Sequence, residues 1–505
     1  MSNKTGKIEY APKRLFGRKP IYTNESAINR NNIAKVLNEV KMVWDSNKSD
    51  ICYLYDYYKG KQPALYRTKK IRDDICNQIV ENRAKEIVDF KTGYICGSPI
   101  QYVCRNSTEE KSEQVNRLNA YMVSENKHSL DKELIEWQYI CGTAYRMIQP
   151  DSYYEADDCP FELFVLDPRK TFVIRSNDYR KKPLAAVYHT VESRIVDSVV
   201  PSKKKTEEIN HYSVFTDTEF FEVLGDKVID AKPHTIGSIP IIEYPANESR
   251  MGAFESVLPL LDSLNLLDCN RLDGVEQFIQ SLMILYNCKL PEGEDSTSVR
   301  ERGLIELMST GDSQADVKIL SEQLNQTETQ TLKADILAAI REIAGVPAQG
   351  DGNSSDSSNN GAVVLKNGWQ SCEAMAKASE LMFKRSETEF IKLVLTICNK
   401  STVEPFTLSL LDIEAKFTRN CYDNILSKSQ TLVTLLQTEK VAPQIAFSVC
   451  GLFSDSEEAY LLSKKFIEEN KAQEVVVVKE TVEQETETEE GTEGLDNENE
   501  QPIAD

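Results

Sequence analysis

The chain has 505 residues, of which 40% are hydrophobic and 28% charged, enough for two or three packed units of ordinary size. Its net charge of −21 excludes a broad grip on nucleic acid, which needs Lys and Arg against phosphate. The charge is uneven: residues 471–505 hold twelve acids and two lysines, whereas residues 1–20 hold six bases and one acid.

The twelve cysteines are scattered, no two form a C-x-x-C pair, and there are four histidines. This pattern predicts reduced, mostly buried thiols rather than a zinc site or a disulfide framework. The start, Met1-Ser2-Asn3-Lys4, opens no apolar signal segment. The most apolar stretch, Leu258 to Tyr286, is interrupted by Asp262, Asn265, Asp268, Arg271, Asp273 and Glu276, too often for a spanning helix. Synthesis and folding in the cytoplasm are expected.

In chain order, a basic arm and first helix (1–45) lead into a helix predicted from Asp74 to Tyr94. It has Cys76, Val80, Ala84 and Val88 at helical spacing, Asp73 or Asp74 as cap and Gly93 at its end. Gly97-Ser98-Pro99 breaks the chain, a strand opens at Ile100, and 129–141 is again helical. Short β-branched or aromatic runs follow at 161–166, 171–174, 185–190, 211–215, 219–224 and 239–244. Gly225-Asp226 is a hairpin signal and 201–205 an exposed loop. An antiparallel meander is expected, which argues against a dinucleotide-binding fold.

From 252 to 286 a long helix is predicted, with a kink or late start at Pro259. Shorter pieces fill 287–320. A helix at 327–344 is stopped by Gly345-Val346-Pro347. Residues 348–361 form a polar loop containing Gly350, Asp351, Gly352, Asn353, Ser354, Ser355, Asp356, Asn359 and Asn360. A third long helix spans 362–400, with Leu365, Trp369, Met375, Met382, Phe390, Leu393 and Ile397 as its buried stripe. A strand at 413–418, small helices over 422–470 and an acidic tail that is disordered by composition complete the chain.

No chemistry-bearing motif is present. The sequence contains no G-x-x-x-x-G-K-[ST], no G-x-G-x-x-G, no H-E-x-x-H and no G-x-S-x-G. Asp351 and Asp356 lack the spacing and terminal Glu of a calcium loop. His128 and His211 have no companion ligands, and Trp44, Trp137 and Trp369 fit core positions. Neither a catalytic site nor a cofactor or metal is expected.

A different signal comes from ordered local matches. Tyr57-Tyr58-Lys59-Gly60-Lys61-Gln62-Pro63 resembles the opening motif of portal proteins of long-tailed, siphovirus-type bacteriophages. Asn77 to Asp89 and Lys91 to Tyr102 follow at the family's spacing. Gly142-Thr143-Ala144-Tyr145, Leu166-Asp167-Pro168, Asp273-Gly274-Val275-Glu276-Gln277-Phe278 and Phe417-Thr418-Arg419-Asn420 continue it. The resemblance spans roughly 50–425.

That resemblance implies an α+β, portal-type subunit. Its parts would be a mixed wing (46–250, with 362–425), stem helices (251–286 and 327–347), a small clip (287–326), a tunnel loop (348–361) and an α-helical crown (426–470). It implies a non-enzymatic homo-oligomer of about twelve subunits in a ring, resident at one capsid vertex. Double-stranded DNA would pass through without sequence specificity. The implied partners are the terminase large subunit, a head–tail connector or adaptor, and the major capsid and scaffolding proteins, with no membrane. If the second stem helix lines the channel, Lys333 and Arg341, about two turns apart, would give weak phosphate contacts; pairing with Glu328, Asp335 or Glu342 is the alternative. Competing functions are a phage-encoded DNA-processing enzyme or another virion subunit.

Overall fold

The computed structural model describes residues 15–70, 73–105, 109–151, 159–196, 205–279, 282–286, 288–289, 308–309, 316–320, 326–347, 368–401, 405–418, 425–438, 440–453 and 456–470. The 348–361 loop, residues 201–204 of the expected 201–205 loop, Leu365, the tail and most of the expected clip lie outside them, and Lys205 begins a strand.

The first strand, β1 (Ile21–Thr23), enters a long helix, α1 (Ile33–Tyr58). Its buried residues Ile33, Val36, Leu37, Val40, Trp44, Ile51, Leu54 and Tyr57 recur every three or four positions, as one helix face requires. The face serves two cores. Up to Trp44, which stacks on Phe172 at 4.5 Å between ring centroids, it packs against a large sheet. From Ile51 onward it joins the main core. Between these halves Asn47 sits where α1 meets the β1 segment, accepting from the Lys19 amide at 3.0 Å and donating to the Lys19 carbonyl at 2.7 Å. The helix is therefore continuous through residues 45 and 46, and no backbone boundary falls there.

The large sheet holds β1, β5 (Thr171–Ser176), β6 (Pro183–Val196), β7 (Lys205–Phe215), β8 (Glu219–Leu224) and β9 (Lys227–Pro233), in that spatial order. From β5 to β9 it is the antiparallel meander expected, with Gly225 at φ +61° in the β8–β9 turn. The addition is β1, which pairs parallel to β5. A second sheet joins β3 (Thr143–Pro150), β4 (Phe161–Leu166) and β10 (Ile241–Pro245), and β2 (Gln101–Cys104) pairs with β13 (Ile413–Lys416). Around these pack α2 (Arg83–Ile95), α3 (Glu109–Ser124) and α4 (Lys127–Cys141). Next come α5 (Leu258–Ile279), α6 (Gln326–Ala344) and α7 (Trp369–Ser401). The class is α+β, with helices and largely antiparallel sheets packed around a main core and a second core under the large sheet.

Several expected boundaries move. The helix predicted from Asp74 begins at Arg83, capped by the Asn82 side chain, while Gly93 lies inside it. The α5 helix takes Pro259 in its first turn, where a missing amide costs nothing, but it ends at Ile279. Leu282–Tyr286 is instead a strand, β11, paired with β12 (Asp316–Leu320). In α7 the buried apolar positions include Cys372, Ala376, Phe383, Phe390, Leu393 and Ile397. Met375, placed in the stripe by sequence, is exposed, because its face points to the end of α6 and not to the sheet.

One ionic cluster binds these layers. Arg146 (β3), Asp131 and Lys127 (α4), and Glu387 (α7) are all buried. Lys127 Nζ lies 2.7 Å from Asp131 and 2.8 Å from Glu387, and Arg146 pairs with both acids. The Tyr244 hydroxyl donates to Glu387 at 2.8 Å, and Tyr102 donates to the same carboxylate. Two cations and two anions cancel, so the burial is electrically neutral.

Candidate functional site: an antiparallel helix pair and the strap across it

The α5 and α6 helices run antiparallel: Lys333 reaches Asp268 while Arg271 reaches Gln330 at 2.8 Å. The first turns of α5 enter the main core through Leu258, Leu261 and Leu264. Further along, its inward face becomes polar. Asn265, Cys269 and Asp273 are all buried, and they face an extended segment, 75–82, which replaces the expected first half of α2.

The contacts between helix and segment are regular. Asn265 Oδ1 accepts from the Glu81 amide at 2.8 Å, Cys269 Sγ from the Ile79 amide at 3.2 Å, and Asp273 Oδ1 from the Asn77 amide at 2.7 Å. Four residues of helix rise about 6 Å, and two residues of extended chain advance about 6.6 Å. Every second amide of the strap therefore meets every fourth side chain of the helix. This match explains why helical periodicity in 74–82 did not produce helix: the amides it would have used are already taken by side chains. It also accounts for the cysteine, which is small enough to let the strap lie close.

Both ends of the ladder are reinforced. Asn265 donates to Gln62 Oε1 at 2.6 Å, and Gln62 in turn donates to Asn82 Oδ1 at 2.9 Å. At the other end Asp273 meets Arg67 at 2.9 Å and Lys69 at 2.6 Å. Burial pushes the Asp273 carboxyl up, but Lys69, the Asn77 amide and Arg67 outweigh it and hold the group below the ordinary Asp value. Removing one rung leaves a backbone amide without an acceptor. Asn265→Ala is accordingly expected to cost about 1–3 kcal/mol, measured by urea unfolding, with faster hydrogen exchange at the Glu81 amide.

Strap and helix pair meet again at Lys333. Its ammonium lies 2.9 Å from Asp268 and 3.0 Å from Glu81, which also pairs with Arg83. Burial raises the Asp268 carboxyl despite Lys333, with Glu81 adding to the rise. Burial lowers the Lys333 ammonium, but the two carboxylates more than reverse that. Arg341 reaches Glu86 of α2 at 3.5 Å. Both cations of α6 are thus paired, with acids of α5, the strap and α2; Glu328, Asp335 and Glu342, the alternatives considered from sequence, are not their partners.

The outward faces of the pair differ. Leu272 and Val275 on α5, and Leu332 and Ile343 on α6, are exposed. The last turn of α6 closes at Gly345, φ +68°, and the Val346 amide returns to the Arg341 carbonyl at 2.9 Å. Residues 350–360, the loop candidates, follow outside the described part of the chain.

Among the described residues no group of three His, Cys, Asp or Glu is arranged to hold a metal, and no helix is long and apolar enough to cross a membrane. Burial pushes the thiols of Cys96, Cys141, Cys159 and Cys398 up to about 12, which keeps them protonated. His211 lies between Glu192 and Glu222 on the sheet, and Trp44 is core. Arg67 and Lys69, the strap residues Asn77 and Glu81, and their α5 partners Asn265 and Asp273 were missed from sequence. Their one signal was the polar or small series Asn265, Cys269, Asp273 at four-residue spacing on an apolar helix.

The described residues thus form a multilayer α+β subunit whose helix pair is strapped to the main core. The family model for phage portal proteins of the SPP1 Gp6-like kind matches residues 37–474, and no curated protein matches the chain significantly. The chain belongs to that family: it is a portal protein of siphovirus type, a virion component of a tailed bacteriophage that serves genome packaging at the capsid vertex.

Proposed function

We propose that this portal protein acts as a closed ring of about twelve copies whose paired stem helices wall a channel for double-stranded DNA. The observation that carries this reading is the family match over 37–474. The bare apolar residues on the outer faces of α5 and α6 support it, since a helix pair covered on one side needs a neighbour on the other. In a ring each subunit's front meets the next one's back.

On this reading the sheets and α1–α4, with α7 and β13, are the wing, and residues 287–326 are the clip that meets the terminase large subunit and then the head–tail adaptor. Residues 348–361 are the tunnel loop, and 426–470 the crown. Short Gly, Ser and Asn side chains with Asp351 and Asp356 would brush a duplex and repel its phosphates. Lys333 and Arg341 would reach phosphate only in competition with Glu81, Asp268 and Glu86, giving weak, salt-sensitive contacts. The capsid and scaffolding proteins would hold the wing. The purified chain is expected to give a closed-ring mass by native mass spectrometry and no ATP hydrolysis without an added motor. ATP turnover abolished by substituting its own acids would overturn the reading in favour of an enzyme.

A further inference from the structure

A second buried charge cluster lies where the segment before β1 meets α1 and both larger sheets, and it does not balance as the Arg146 cluster does. Arg18 pairs with Glu255 at 2.6 Å, while Arg175 and Arg250 share Glu243 at 2.7 and 2.6 Å. Three guanidiniums thus face two carboxylates. Of the other charges nearby, Lys19 is exposed and Asp50 half-buried, and the two offset each other. Burial raises the Asp50 carboxyl although Arg18 and Lys19 pull it down, so it supplies no further negative charge. The cluster carries one positive charge in excess, and a buried charge without a counter-charge is costly.

Arg18, Arg175, Arg250 and Glu243 line a cavity of about 20 Å³, together with Trp44 of α1 and Thr143 of β3. A sphere of water size fills ~10–15 Å³, so the space suits one small occupant and excludes a phosphate, sulfate or carboxylate. Three of the lining residues hold a buried nitrogen that meets no acceptor among the described residues: Arg18 Nε, Trp44 Nε1 and Arg175 Nε. Arg18 and Trp44 are only 3% and 2% exposed. None of the lining side chains holds a buried acceptor in want of a donor. The imbalance is therefore one of donors as well as of charge. A water oxygen would accept from two of the three N–H groups and leave its own two protons without acceptors. A monatomic anion accepts from all three and cancels the excess charge.

We propose that this cavity is a structural site for one monatomic anion of chloride size, held by Arg18, Trp44 and Arg175. The proposal is independent of the ring reading. Bound there, the anion joins the segment before β1 to α1 and β5, at the junction of the main core with the second one.

Crystals of the full chain soaked in bromide should show an anomalous peak within hydrogen-bonding distance of Arg18 Nε, Trp44 Nε1 and Arg175 Nε. In solution, chloride is raised from about 10 to about 100 mM while gluconate, too large for the cavity, holds the ionic strength constant. The unfolding constant of the full chain should then fall by about threefold or more. Trp44→Phe keeps a ring against Phe172 but removes one N–H, and it should lose most of that dependence. If that variant does not fold, the bromide map and the chloride series on the unmodified chain still decide. Water alone at the cavity, with no anomalous peak, overturns the proposal. So does an unfolding constant indifferent to chloride, which would make any bromide peak binding at crystal concentration only. A folded Trp44→Phe variant with undiminished chloride dependence overturns it as well.

Discussion

Arg146→Ala is expected to destabilise the subunit by about 3–5 kcal/mol, read as a fall in the urea midpoint at neutral pH. The guanidinium is fully buried, stacks 4.8 Å from the Phe390 ring centre, and pairs with Asp131 and Glu387. Without it two buried carboxylates face the single ammonium of Lys127. The cluster ties α4, β2, β3, β10 and α7, so its loss loosens the attachment of the 33-residue α7 to the sheets. An unchanged midpoint would show the cluster to be dispensable.

The same cluster sets an acid limit. Burial pushes the Glu387 carboxyl up, but Lys127, Arg146 and the hydrogen bond from Tyr102 outweigh this and hold it down at about 2. Glu243, buried beside Arg250 and Arg175, is likewise held at about 2. A carboxyl with a depressed folded value contributes stability above its unfolded value and loses it as pH falls through the folded one. Stability should therefore decline from about pH 4.5 towards pH 2, and the decline should be shallower in Glu387→Gln, which lacks one of the two groups. An equally steep decline in the variant would contradict the assignment.

Gly142→Ala is expected to cost about 4 kcal/mol or more, at the upper end for single substitutions. Gly142 caps α4 with φ +81°, and a Cβ there would meet the Arg250 carbonyl oxygen at 2.0 Å. Those are backbone atoms with nowhere to go. The contact belongs to a knot just ahead of the stem. A Cβ on Gly252 would meet the Ile140 carbonyl oxygen at 2.5 Å, and one on Gly17 the Ser249 oxygen at 1.8 Å. Through the same knot runs the buried Arg18–Glu255 ion pair at 2.6 Å, with the Gly17 and Gly252 amides also donating to Glu255. Thermal unfolding checks this, and a variant within about 1 kcal/mol of the parent would show that the 249–252 turn can shift.

These two sites mark how far sequence reasoning reaches. The meander, the α4 helix and the α6 boundary were legible because residue patterning and a Gly-Val-Pro stop act locally. Ordered motifs from Tyr57 to Asn420 made the family legible without any catalytic residue. What stayed hidden depends on partners far away in the chain. Nothing near residues 75–82 announces that Asn265, Cys269 and Asp273 will take their amides, about 190 positions later. Nor does the spacing in α7 reveal that Glu387 faces inward, since a lone acid in a helical pattern reads as solvent-facing until Lys127 and Arg146 are seen beside it. Lys333 was singled out for its charge, yet its surroundings are carboxylates supplied by two other segments.

The strap and the knot fix the register of α5 and α6 against the main core, and the proposed ring needs such a register in helices that wall its channel. Negative-stain imaging of the purified full-length protein tests this most directly. The account predicts closed rings of about twelve subunits with an axial hole wide enough for a duplex. Persistent monomers under every assembly condition, or closed particles without a hole, would contradict it.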